Sequence, residues 1–433
     1  MKFVSTRNKT ISVSLSQAMQ QGLALDGGLF VPACFPKIDY SSLPESISYS
    51  QFAENMLAPF FKEDSLSRHL SSICQRSFNF PLSRVELDAN NEILELFHGP
   101  TLSFKDFGAQ FLANCLSHVK TDKTFTILVA TSGDTGSAVA SAFYQKPNIR
   151  VVVLFPKDKI SMRQQHQITC WGDNVLALAV KGRFDDCQKL VKAAFSDPWW
   201  QSKTHLNTSN SINIGRLLPQ TTYYAYTAWQ YFLKHKQKAN FIVPSGNIGN
   251  VTACFWAKEM GFPIGRIVVS QNENNVIGQY LQSKKLPNKP SIETLANAMD
   301  VGKPSNFERL YDLFDHDFEE FKQHVHGLKA SDQAIKQTVL SVYQQYGQII
   351  CPHTATAFYA RSLLDSNTPF IMVATAHPAK FENIVEPILQ QKIQVPEHLK
   401  ALLDKKQHYT QIAPEMDQLC KAYQEAFLPK SYI

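Results

Sequence analysis

Residues 98–111, HGPTLSFKDFGAQF, set Lys105 directly after Phe104 and two residues before Phe107, just past a Gly-Pro pair. A lysine among apolar neighbours can lay its stem along apolar surface and keep its amine in water. It can also be a buried amine with a lowered pKa, able to attack a carbonyl and form a Schiff base. Taken alone, this segment suits the first description better.

Two other segments change the balance. FIVP at 241–244 reads as a buried strand, and PSGNIGN at 244–250 breaks it before a helical stretch. Such a turn aims backbone N–H groups and the positive end of a helix at one spot, which suits an anion. Gly246 and Gly249 let the backbone come close to a phosphate, and Ser245 and Asn247 add side-chain donors. TSGDTG at 131–136 follows the apolar run FTILVA in the same way, with Ser132 and Thr135 as donors. Either loop alone could be an ordinary tight turn, because Gly, Ser and Asn are common there for conformational reasons. Two of them in one parallel sheet, beside the Lys105 segment, point to a ligand at the carboxyl ends of the strands.

The elements expected to position these loops alternate after residue 98. Helices are expected at 106–119, 183–195, 214–233 and 251–260, and strands at 125–130, 151–155, 241–244, 266–270 and 370–375. Apolar strands separated by helices predict an α/β fold with parallel sheets covered on both faces. Residues 1–95 read as a small N-terminal unit of mixed structure, with the turn-rich GLALDGGLFVP at 22–32. Residues 96–433 form the main region, with a helical insertion at about 280–350.

Composition narrows the class further. The chain has 433 residues, 44% hydrophobic and 18% charged, with a net charge of +6 and no basic block. That gives no argument for nucleic acid. The eight cysteines form no C-x-x-C pair, so neither a zinc site nor a disulfide frame is expected. There is no apolar leader and no run of membrane-spanning length, so a soluble, cytoplasmic protein is expected. No G-x-G, Walker G-x-x-x-x-G-K-[ST], G-x-S-x-G or H-E-x-x-H occurs. A lysine in an apolar setting, a phosphate cradle and a second loop of donors remain. Pyridoxal phosphate needs that set, together with a partner for its ring nitrogen.

The segments HGPTLSFKDFGAQF, ATSGDTGSAVA, NSINIGR, PSGNIGN and TAHPAKF, in this order, resemble threonine synthases of the bacterial and fungal long-chain type. The resemblance runs from about residue 30 to about residue 390. It implies the tryptophan synthase β-like pyridoxal fold and conversion of O-phospho-L-homoserine and water to L-threonine and phosphate. It further implies that Lys105 holds the cofactor as a Schiff base, that Ser245, Gly246, Asn247, Ile248, Gly249 and Asn250 bind its phosphate, and that Thr375 bonds the pyridine nitrogen. Asp134 stands where more distant relatives carry Asn near the ring hydroxyl. Ser132 and Thr135 would take the substrate carboxylate. Asn210, Ser211, Asn213 and Arg216 would take its phosphate, with Arg216 supplying a planar fork. His98 and His377 are expected to be structural hydrogen-bonding residues.

Three other readings stay open at this point. One is a phospho-lyase with the same cofactor. Another is a non-catalytic binder of a phosphorylated metabolite, and the third is a nucleotide-dependent oxidoreductase. The sequence leaves monomer and homodimer equally open.

Overall fold

Strands Phe125–Ala130, Ile149–Pro156 and Val175–Val180 are buried along almost their whole length. Only a parallel sheet with helices on both faces buries strands so completely. In the computed structural model, which describes residues 1–121, 124–288 and 290–428, they form the centre of a five-stranded sheet. Thr410–Ile412 lies beyond Val175–Val180, and His205–Asn207 lies beyond Phe125–Ala130. Every pairing in this sheet is parallel.

Side-chain alternation divides its two faces. Leu128, Val152 and Leu178 pack on Leu190 and Val191 of helix Phe184–Ser196 and on Leu419 and Tyr423 of helix Met416–Phe427. Ile127, Val129, Val151 and Val153 join the largest apolar core of the molecule instead, with Val139 of helix Asp134–Phe143 and Phe111 of helix Lys105–Ser117.

A second sheet has six strands, in the order His326–Lys329, Ile264–Gln271, Ala239–Pro244, Phe370–Ala374, Asn91–Glu95 and Ser83–Asp88. Its pairings are parallel except the last. Helices Asp332–Tyr346 and Pro352–Ser362 cover one face, with Ile335, Val339 and Phe358 against Ile242, Val268 and Met372. Helices Gln220–His235 and Gly249–Glu259 cover the other.

The N-terminal unit is a three-stranded antiparallel sheet, Ser12–Val13, Phe3–Ser5 and Phe30–Pro32, with helices Leu15–Gln21, Tyr49–Phe61 and Leu70–Ser77. Two of these helices begin in capping boxes, Ser14 with Gln17 and Ser48 with Gln51, a local signal that fixes where a helix starts. Phe52 stacks on Trp229 at 5.3 Å, so the unit packs onto the main region through aromatic rings.

Four features depart from the simple sequence pattern, the first being that Phe125–Ala130 and Ala239–Pro244, whose loops were expected in one parallel sheet, belong to two different sheets. The helix expected at 214–233 is two helices, Ile214–Leu217 and Gln220–His235, with Pro219 at the N-cap of the second. Proline cannot donate the hydrogen bond that a continuous helix needs there. Strand His326–Lys329 lies within the stretch expected to be helical and extends the six-stranded sheet. Strands Ser83–Asp88 and Asn91–Glu95 precede residue 96, yet their hydrogen bonds run into the sheet of the main region.

Candidate active site

Lys105 is the first residue of helix Lys105–Ser117, and backbone pairing decides where it stands. Leu96 N–H donates to Ala374 O (3.0 Å), Phe104 N–H to Thr375 O (2.9 Å) and His377 N–H to Leu102 O (3.0 Å). Residues 102–104 are thereby fastened, antiparallel, to residues 375–377, just past strand Phe370–Ala374. The turn into the helix is held by the buried Asp106 carboxylate, which accepts from Thr101 N–H (2.9 Å) and Thr101 Oγ1 (2.6 Å). A Cβ on Gly99 would lie 2.6 Å from that carboxylate, so the Gly-Pro turn needs its glycine. Leu102 sits at φ 62°, a strained conformation for a branched residue.

Lys105 is half-buried, with its amine 4.8 Å from the centre of the Phe104 ring. Desolvation pushes that amine down to about 8. The Asp134 charge works against this shift, whereas Arg216 and Lys380 add to it. An amine near 8 is neutral often enough at physiological pH to act as nucleophile and base.

The loop at 131–136 is organised by Thr131, whose Oγ1 accepts from Gly133 N–H (3.0 Å) and Gly136 N–H (2.8 Å). Gly133 has φ 136°, and a Cβ there would come 2.6 Å from Gln164. Asp134 forms a fully buried ion pair with Lys380 (2.8 Å) and accepts from Gln164 Nε2 (3.0 Å). Burial alone would raise the Asp134 carboxyl. Lys380 and then Lys105 outweigh it and hold the carboxyl well below the usual carboxylate range. The Ser132 and Thr135 hydroxyls are half-buried and bond no group among the described residues.

In the turn at 245–250, the backbone N–H groups of Gly246, Asn247, Ile248, Gly249 and Asn250 donate to no acceptor among the described residues. They stand at the start of helix Gly249–Glu259, entered through Ile248 at φ 64°. Free amides at a helix start form an anion cradle. Ser245 Oγ bonds the Asn250 side chain, and Asn250 Nδ2 donates to Pro244 O (2.8 Å), which stiffens the turn from inside.

The segment at 207–216 divides into two groups. Ser211 meets the turn directly, accepting from Asn247 Nδ2 at 2.6 Å. Arg216 is buried, bonds Ser209 and reaches the Lys105 carbonyl (3.5 Å), while its Nε has no partner. Burial pushes its guanidinium down to about 10, and Asp106 partly restores it. Asn210 is half-buried, and its side-chain amide bonds no group among the described residues. Asn213 is set apart: its Nδ2 reaches Met19 O (2.9 Å), and its Oδ1 caps the short helix Ile214–Leu217 through Gly215 N–H. Those bonds tie the segment to the N-terminal unit.

Thr375 is buried, and its hydroxyl bonds no group among the described residues. His98 bonds Glu95 (2.8 Å), and His377 Nδ1 accepts from Ala379 N–H (3.1 Å). Sequence reasoning assigned no role to Lys380, His353, Asn306 or Arg309. Lys380 lies in TAHPAKF and was legible only as part of a motif. His353 is pushed down to about 4 by burial and accepts from Ala298 N–H (3.1 Å). Asn306 and Arg309 come from the stretch expected to be an insertion, and no local pattern marks them.

The donor set fits pyridoxal phosphate: a depressed lysine amine, five free amides at a helix start and an unbonded hydroxyl at a strand end. The family model described as pyridoxal-phosphate dependent enzyme matches residues 93–370. Those for the threonine synthase N terminus and the threonine synthase C-terminal region match 2–78 and 353–423. Threonine synthase of Serratia marcescens is 38% identical over 92% of this chain and 93% of its own length. The chain belongs to the threonine synthase family.

Two solved members of the threonine synthase family extend the likeness to the whole fold. The Escherichia coli enzyme superposes with a TM-score of 0.91 at 35% identity, covering 98% of this chain and 100% of its own. The Brucella melitensis structure, described as PLP-bound, superposes with a TM-score of 0.91 at 32% identity, covering 99% and 100%. The chain is a pyridoxal-phosphate enzyme of this family. The threonine synthase C-terminal match runs past residue 395, where the sequence offered no motif. Among the described residues no helix is long and apolar enough to cross a membrane.

Proposed function

We propose that this enzyme converts O-phospho-L-homoserine and water to L-threonine and phosphate. One observation carries the reading: the buried Arg216, from a separate segment, donates to the carbonyl of Lys105, the residue with the depressed amine, at 3.5 Å. A proton-moving amine and a phosphate-binding fork therefore act on one small molecule.

Lys105 would hold pyridoxal phosphate, which when bound would supply the electron sink that lets protons leave carbon. The turn at 245–250 would hold its phosphate through backbone amides, with the Ser245, Asn247 and Asn250 side chains shaping that turn. The Thr375 hydroxyl would bond the ring nitrogen without charging it, and Asp134, kept ionised by Lys380, would serve the ring hydroxyl. Ser132 and Thr135 hold the substrate carboxylate. Asn210, Ser211 and Arg216 hold its phosphate, with Asn213 shaping their segment. Lys105 removes the α-proton and later returns a proton as the product leaves. Arg216 stabilises the charge that develops on the departing phosphate. We place this enzyme in the cytoplasm, as a monomer or homodimer.

Incubating the purified protein with pyridoxal phosphate and O-phospho-L-homoserine, and quantifying amino and keto acids, tests the reading. Threonine with equimolar phosphate is expected. A keto acid without threonine would make the enzyme a phospho-lyase, and no product would remove the substrate assignment.

A further inference from the structure

Ser211 Oγ receives two amide donors, Asn247 Nδ2 at 2.6 Å and Asn306 Nδ2 at 2.9 Å. The two ends of an amide exchange by a half-turn, so each orientation needs a reason of its own. Asn247 Oδ1 accepts Ser305 N–H at 2.6 Å. Turned over, it would set donor against donor. Asn306 Oδ1 accepts Arg309 Nη1 at 2.8 Å, and a guanidinium can only donate. Arg309 is itself immobilised, completely buried, with its other donors on the carbonyls of Phe30 (3.0 Å), Ser211 (2.9 Å) and Ile212 (2.6 Å).

Both amides therefore turn their NH2 groups toward Ser211. A hydroxyl oxygen accepts two hydrogen bonds and donates one. With both acceptor positions filled, the Ser211 proton can only be donated outward, and no group among the described residues takes it. Ser211 borders the free amides of the turn, since a Cβ on Gly249 would lie 3.4 Å from the Ser211 Cβ.

We infer that Asn306 is a positioning residue: with Asn247 it locks Ser211 as an obligate donor to a phosphate monoester beside the turn at 245–250. The inference rests on the proposed reaction for the substrate's name, but not for the polarity of the hydroxyl. The phosphate is that of the substrate or that of the cofactor, and the test separates them.

Asn306→Asp keeps an oxygen for Arg309 but turns the donor facing Ser211 into an acceptor, which draws the Ser211 proton inward. On holoenzyme, calorimetry with inorganic phosphate should show binding weakened by at least about tenfold, the worth of one charge-assisted hydrogen bond. KM for O-phospho-L-homoserine should rise with it, kcat should change far less, and the melting temperature should hold. If cofactor release on dialysis accelerates instead, the hydroxyl serves the cofactor's phosphate, and the inference stands. Because the new charge repels phosphate by itself, Asn306→Ala is compared alone and on top of Ser211→Ala. A positioning residue adds nothing once Ser211 is removed, so additive losses would overturn the inference. Unchanged phosphate binding together with unchanged cofactor retention would overturn it too. If the Asn306 variants do not fold, Asn247→Asp makes the same inversion from a half-buried position. Phosphate binding that depends on Asn306 in a protein that makes no threonine would remove the proposed reaction and leave this inference in place.

Discussion

Lys380 Nζ lies 2.8 Å from Asp134 Oδ1, and both side chains are buried. Asp134 begins a helix of the five-stranded sheet, and Lys380 follows a strand of the six-stranded one. Lys380 also donates to Thr101 O at 2.6 Å, in the turn that leads into Lys105. One cation therefore ties the loop at 131–136 and the Lys105 segment to the end of the second sheet. Asp134→Asn should cost about 3–5 kcal/mol, because it strands a buried ammonium. The double variant with Lys380→Met should cost less than the sum of the two single changes, read by denaturant unfolding. The depressed carboxyl contributes its stability above its ordinary value of 3.8 and loses it only in stronger acid.

Lys105 holds its proton less tightly folded than unfolded, at about 8 against 10.5. Below 8 both states are protonated and the burial cost is present in full. Between 8 and 10.5 the unfolded chain binds more protons, so the stability of the cofactor-free protein should rise with pH. The Lys105→Met protein should lack that rise in melting temperature. Cofactor uptake should reach half its limiting rate near pH 8. Asp134→Asn, which removes an anion, should move that midpoint lower.

Lys105→Ala should lower kcat by roughly a thousandfold or more, the weight of a lost acid–base group, while the far-ultraviolet circular dichroism stays that of the parent. An alanine protein that still makes threonine at a comparable rate would remove Lys105 from the reaction.

Arg216→Ala should raise KM for O-phospho-L-homoserine by about tenfold or more, with a smaller effect on cofactor retention. Arg216→Lys should rescue only in part, because a point charge cannot reproduce the fork that spans Ser209 and the Lys105 carbonyl. Steady-state kinetics beside cofactor titration separates the two effects.

Gly246→Ala should loosen the cofactor. Its Cβ would stand 2.5 Å from the Met299 Cα, a backbone atom that cannot swing aside. Overpacking of this kind costs about 1–3 kcal/mol and displaces the amides of the turn. Equilibrium dialysis of pyridoxal phosphate should show the loss, and Gly172→Ala, where a Cβ meets nothing within 4 Å, is the comparison without overpacking.

The sequence by itself marked the candidate groups for chemistry and the loops that carry them. PSGNIGN, TSGDTG and the Lys105 segment are contiguous, and a strand, a turn rich in Gly, Ser and Asn, and a helix start are local events. The apolar strands Phe125–Ala130 and Ile149–Pro156 were legible for the same reason. Strand Ser83–Asp88 was not, since its alternating charged residues form a strand only because Asn91–Glu95 turns back to pair with it. Strand His326–Lys329 is four residues long and exists through its pairing with Ile264–Gln271. The tertiary structure alone decided that Lys380 reaches Thr101 across 279 positions, that residues 102–104 fasten to 375–377, and that Arg309 and Asn306 set the polarity of Ser211. It also decided the state of the Lys105 amine, because a pKa depends on burial and on neighbouring charges. Those neighbours, Asp134, Arg216 and Lys380, come from three separate segments that only folding brings together.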